Sequence, residues 1–123
     1  MAAVINVQPQ VLDLLLYAGD GFKARLTCTD PEGNEVDLTG GVAAQIRLDR
    51  LHPDDPPLAS FAVSMVDAYM GKIVISLTGD QTQALVEDRS KFVGVWDLEW
   101  DSSTDEPRTL AQGTVECVSD VTR

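Results

Sequence analysis

Histidine is nearly missing from this sequence: His52 is the only one in 123 residues. A hydrolytic triad needs a base beside its nucleophile, usually histidine. His52 sits in the proline-rich stretch "LHPDDPPLA", and no G-x-S-x-G elbow accompanies it. Cysteine is scarce too, with Cys28 and Cys117 alone. Their separation fits neither a metal-ligand pair nor a redox C-x-x-C, so zinc sites of the usual kind are not expected. Each lies in a strand-like run, where a free thiol acts as a small apolar group. Two free thiols are expected, although strands distant in sequence can be neighbours, which leaves a disulfide open. Long apolar runs are lacking as well. Stretches such as "LLLY" are strand-sized, far short of the roughly 18 residues that span a bilayer. The opening "MAAVINVQPQ" has no basic or long apolar region, so no signal peptide is expected.

Positive charge is the last scarcity. Nine Lys and Arg stand against 20 Asp and Glu, for a net charge of −11. Such a surface repels phosphate, which argues against nucleic acid and anionic membranes as partners. It favours solubility and a basic protein partner. At 44% hydrophobic, the chain can still build a packed core, and its length suits one domain over residues 1–123.

What the sequence has in abundance is alternation. "FKARLTCT" puts Phe22, Ala24, Leu26 and Cys28 on one face and Lys23, Arg25, Thr27 and Thr29 on the other, a half-buried strand. "VAAQIRLDR" sends Val42, Ala44, Ile46 and Leu48 inward. The three prolines of "LHPDDPPLA" exclude a central strand and mark an exposed loop. "SFAVSMV" resumes with Phe61, Val63 and Met65 inward, and "KIVISLT" with Ile73, Ile75 and Leu77. In "FVGVWDLEW", Phe92, Gly94, Trp96, Leu98 and Trp100 share a face. "RTLAQGTVECVS" is the last strand; "AVINVQP" and "LDLLLYAGD" read as two short ones separated by Pro9. One segment breaks the period. In "TGDQTQALVEDR", Thr78 precedes Gln81 by three, the spacing of a capping box, which predicts a short helix from about 79 to 87. About eight short strands joined by turns, with one short helix, predict an all-β, antiparallel, Ig-like β-sandwich. Residues 1–10 are expected as an N-terminal arm or a first strand.

Chemistry has few candidates. Asp97 and Glu99 share a strand face at roughly 7 Å spacing, as a glycosidase pair could, but any acidic strand offers such a pair. "AGDGF" lacks the G-x-G-x-x-G pattern and a following helix, so it reads as a tight turn with glycine supplying positive φ. Trp96 and Trp100 read as core, with a sugar platform or protein anchor as the alternative for Trp100. "DPEGNEVDLTGG" is rich in carboxylates, but an EF-hand loop starting at Asp30 would need glycine where Glu35 stands and glutamate where Gly41 stands. Pro31 and Gly33 instead suit a type I turn.

The ordered motifs resemble a known family. "YAGDGFKARLTCTDPEGNEVDLTGGVAAQIR" looks like the opening of a β-sandwich domain of tailed-phage virion proteins. The pattern runs through Tyr17, Gly19, Asp20, Asp30, Gly33, Asp37 to Gly40, and Gln45 to Arg47, and "GKIVISLTGDQTQAL", "GVWDLEW" and "RTLAQGTVECVSDVTR" continue it. Over about residues 14 to 123 the chain is similar to the LtfC-like β-sandwich family. It is more distantly similar to the N-terminal domain of baseplate upper proteins. The resemblance implies a non-enzymatic structural module of the virion, most often in tails, baseplates and fibres, with a capsid decoration protein as the alternative. Its expected partners are other virion proteins of tail or capsid, and copies of itself. No nucleic acid, membrane, small-molecule substrate, metal or cofactor is implied. Candidate partner-binding residues are Trp100, at a strand end, and His52, Asp54 and Asp55 in the exposed loop.

Overall fold

In a computed structural model of the chain, residues 10–28, 37–38, 41–49, 56–67, 70–87, 89–100 and 108–119 are described. The strands are β1 (Gln10–Val11), β2 (Leu14–Tyr17), β3 (Phe22–Thr27), β4 (Val42–Arg47), β5 (Ala59–Ser60), β6 (Ala62–Asp67), β7 (Lys72–Leu77), β8 (Lys91–Trp100) and β9 (Arg108–Val118). One helix, α1 (Gly79–Val86), precedes β8. The strands form two sheets. The larger has the order β1-β9-β8-β4-β5, with β2 also on β9, and the smaller has the order β3-β7-β6. This is the expected all-β sandwich with one short helix.

The core follows the alternation. From the larger sheet, Leu14, Leu16, Ala44, Ile46, Phe92, Trp96, Leu98, Val115 and Cys117 are buried, and from the smaller, Ile73, Ile75 and Leu77. Only the central strand of the smaller sheet reaches full burial on its inner face; Phe22, Ala24 and Leu26 on the edge strand β3 are half-buried. Phe61 joins the two layers. It stands between β5 of one sheet and β6 of the other, and its ring meets Phe22 and Trp96 edge-on, with centroids 6.2 Å and 5.9 Å apart. Edge-on pairs suit the ring quadrupole. The stretch read as one strand, "SFAVSMV", therefore crosses between sheets at Phe61.

Three further details differ from the sequence expectation. Most ladders are antiparallel, but β1 and β2 run parallel to β9. Leu48 is 62% exposed rather than inward, because the β4 ladder ends at Arg47 opposite Val95. Met65 is 40% exposed, because β6 is an edge strand whose register shifts between Met65 and Asp67. The "AVINVQP" stretch and the "DPEGN" turn, with the calcium question attached to it, lie outside the described residues.

Helix α1 begins as expected. The Thr78 side chain accepts from the Gln81 amide at 3.2 Å, and Gln81 Oε1 accepts from the Thr78 amide at 2.8 Å, which satisfies two otherwise orphaned donors. The helix buries Thr82, Leu85 and Val86 and packs on β2, β8 and β9. The buried Thr82 hydroxyl ties it to the turn after β2. It accepts from the Gly19 amide at 3.0 Å, and it lies 2.9 Å from the Asp20 carbonyl and 3.0 Å from that of Gly79. Gly19 takes φ 88 in that turn, the positive φ expected of "AGDGF".

Candidate interaction surfaces

The parallel N-terminal strand is held by groups that a local sequence pattern does not announce. Between β1 and β2 the Leu12 carbonyl turns inward and accepts from Trp96 Nε1 at 2.7 Å, which satisfies a buried indole donor. The Leu12 amide donates to the Gln112 carbonyl at 2.9 Å. Asp13 Oδ1 accepts from the Thr114 amide at 3.0 Å, and hydrogen bonds from Thr114 lower the Asp13 pKa. The chain can approach this closely because residue 113 is glycine: a Cβ there would stand 2.1 Å from the Leu12 oxygen.

With Leu14, Leu16, Val115, Cys117, Phe92 and Trp96 inward, the alternate residues form the outer face of the larger sheet. The registers arrange them in rows. Leu15, Glu116 and Val93 make one, and Tyr17, Val118 and Lys91 the next. Val11, Gln112, Asp97, Gln45 and Ser60 make a third. Val11, Leu15, Tyr17 and Val93 are exposed, so this face is apolar as well as acidic. Lys91 pairs with Glu116, and Arg47 Nη2 donates to Gln45 Oε1 at 3.1 Å.

The outer face of the smaller sheet has another character. Opposite the inward Ile73, Ile75 and Leu77 lie Lys72, Val74 and Ser76, and the registers set Lys23, Arg25 and Thr27 of β3 beside them. Lys23, Arg25 and Lys72 are all exposed. The residues that β6 adds to this face are small or aliphatic apart from Asp67, opposite Lys72.

Trp100 is half-buried and packs against the core, at the strand end opposite Val42. His52, Asp54 and Asp55 lie outside the described residues. Asp97 and Glu99 share the outer face, where with Gln45, Arg47, Asp49 and Val95 they line a depression of about 230 Å³. Among the described residues, no three His, Cys, Asp or Glu side chains gather as metal ligands. Both cysteines are free thiols, and burial raises the pKa of each. Cys117 Sγ lies 3.5 Å from the Thr82 carbonyl. The two-signed pattern of the outer faces was missed in the sequence, although Lys23 and Arg25 were already read as outward there. The missing signal was the β3–β7 register that brings Lys72 beside them.

No protein-family model matches this chain, and no curated protein matches it. Among solved structures it is similar to the N-terminal domain of phage TP901-1 ORF48, at TM-score 0.44 and 9% identity, over 92% of this chain and 90% of that one. It is similar to a chain of the ZIG-8–RIG-5 IG1–IG1 heterodimer at TM-score 0.42 and 12% identity, over 96% and 90%. A third likeness is to a nucleoside hydrolase-related hypothetical protein from Saccharophagus degradans. It has TM-score 0.31 and 13% identity, over 89% of this chain and 22% of that one. At these scores the likenesses carry no functional argument.

Proposed function

We propose that this chain is a non-enzymatic structural component of a tailed-phage virion that joins other virion proteins through its sheet faces. The observation that carries the reading is the order of its motifs along residues 14 to 123, which resembles the phage β-sandwich family. Two of the described motif residues serve the fold: Gly19 makes the turn clamped by Thr82, and Leu38 of "DLTG" is fully buried. Trp100 packs against the core, which favours its structural reading over that of a sugar platform.

Within the particle, the tail tip, baseplate or fibre attachment is the position the resemblance favours, with capsid decoration as the second reading. Quantitative gel densitometry of purified virions separates them. A tail position gives a few copies per particle, and decoration gives tens to hundreds. Absence of the chain from purified particles overturns both.

A further inference from the structure

In a chain of net charge −11, one sheet face is basic. Lys23 and Arg25 are two residues apart on β3, about 7 Å. Lys72 lies diagonally across the β3–β7 ladder from Arg25, again about 7 Å. All three are exposed, and among the described residues no carboxylate forms an ion pair with any of them. Asp67 stands opposite Lys72 in the β6–β7 ladder, yet the two are not paired. Three like charges this close repel one another, and on the described strands of this sheet Asp67 is the one carboxylate on the same face.

The complementary surface is on the opposite side of the same sandwich. The outer face of the larger sheet carries Asp97, Glu99 and Glu116, beside the exposed Leu15, Tyr17 and Val93. Glu116 is paired with Lys91, and Arg47 lies beside Asp97 and Glu99, so the face is acidic on balance rather than throughout. The two faces point away from each other, so they cannot meet within one molecule. We infer that the basic outer face of the β3-β7-β6 sheet docks on the acidic, apolar outer face of the larger sheet of a second copy of this chain. Contact between two different patches is heterologous, and it continues from copy to copy into a ring or a filament. Burial of Leu15 and Val93 supplies the non-directional attraction, and the charges set the register and oppose face-to-face pairing of like patches. This deepens the structural reading above and rests on it.

The test is sedimentation equilibrium of the full chain up to about 1 mM, the scale of effective concentration within an assembly. Wild type associates beyond the monomer, and the association weakens at least several-fold as salt rises. Lys23→Glu/Arg25→Glu/Lys72→Glu stays monomeric, and so does Glu99→Lys/Glu116→Lys. Mixed, the two variants associate, because each restores the charge that the other lost. Lys23→Gln/Arg25→Gln weakens association by a smaller factor, which guards against a charge-reversed variant that misfolds. A wild type that is monomeric at every concentration and salt overturns the inference. So does a mixture that fails to associate although both variants give wild-type circular dichroism. Wild-type binding to poly-glutamate without self-association also overturns it, by assigning the basic face to another acidic partner. Each of these leaves the virion reading standing. Self-association of a chain absent from purified particles would instead remove that reading and keep the contact.

Discussion

The two sheets of this sandwich are built to different standards. The larger has the long strands β8 and β9 at its centre, and its N-terminal strand is fixed by the indole of Trp96 and the carboxylate of Asp13. Its inner face is buried from Leu16 on β2 to Ile46 on β4. The smaller sheet has one well-buried strand, β7, between two edges, and β6 is exposed along most of its length. A three-stranded sheet has two edges and a single centre, so most of its residues have a neighbour on one side only. Stability is therefore concentrated in the larger sheet. The smaller one can carry a basic face whose cations form no ion pair among the described residues, and an exposed edge, features that weaken a fold but serve attachment to other chains.

The largest loss of stability is expected at Trp96. Trp96→Ala removes the ring that meets Phe61 and the donor to the Leu12 carbonyl, and should cost about 3–5 kcal/mol in urea denaturation. A loss under about 1 kcal/mol would mean that the N-terminal strand and the core are not coupled through this residue. Gly113→Ala comes next. Its Cβ collides with the Leu12 carbonyl, so the N-terminal strand must shift, at about 1–3 kcal/mol. Limited proteolysis should then cut around residues 10–13 before the rest of the chain. Val66→Ser on β6 sharpens the contrast from the other side. Val66 is 57% exposed on an edge strand, and its replacement should move stability by no more than about 0.5 kcal/mol. A loss like that at Gly113 would mean that the smaller sheet's edge is covered.

The smallest effect is that of Asp13. Its pKa is lowered in the folded chain by the Thr114 hydrogen bonds. Its contribution is present above the ordinary carboxylate pKa, near 4, and is lost as the pH falls through the lower folded value. Denaturation curves from pH 7 downward should show wild type losing slightly more stability below about pH 4 than Asp13→Asn. Parallel curves would remove Asp13 from the latch.

Much of the fold was legible because alternation of period two is local. Phe22 to Cys28, Ala44 to Ile46, Ile73 to Leu77 and Phe92 to Leu98 each declare their inner face within a few residues. The capping box of Thr78 and Gln81 is equally local, and α1 starts where it says. What was not legible depends on which strand is next to which. Nothing within "QVLDLLLY" tells that it lies parallel to a strand about 100 residues later. Leu48 and Met65 follow the inward pattern, but exposure there is decided by where a ladder ends and which strand is outermost. The candidate surfaces were half-legible for the same reason. Lys23 and Arg25 face outward by alternation, whereas their joining with Lys72 into one basic patch is a consequence of register.

The proposed role as a structural part of a virion is tested most directly by a reconstruction of intact particles of a phage whose genome carries this sequence. The expected result is density for a two-sheet sandwich at the tail tip, baseplate or fibre attachment, with an outer sheet face against a neighbouring protein. Particles that contain no such density, and no trace of the chain by mass spectrometry, would contradict it.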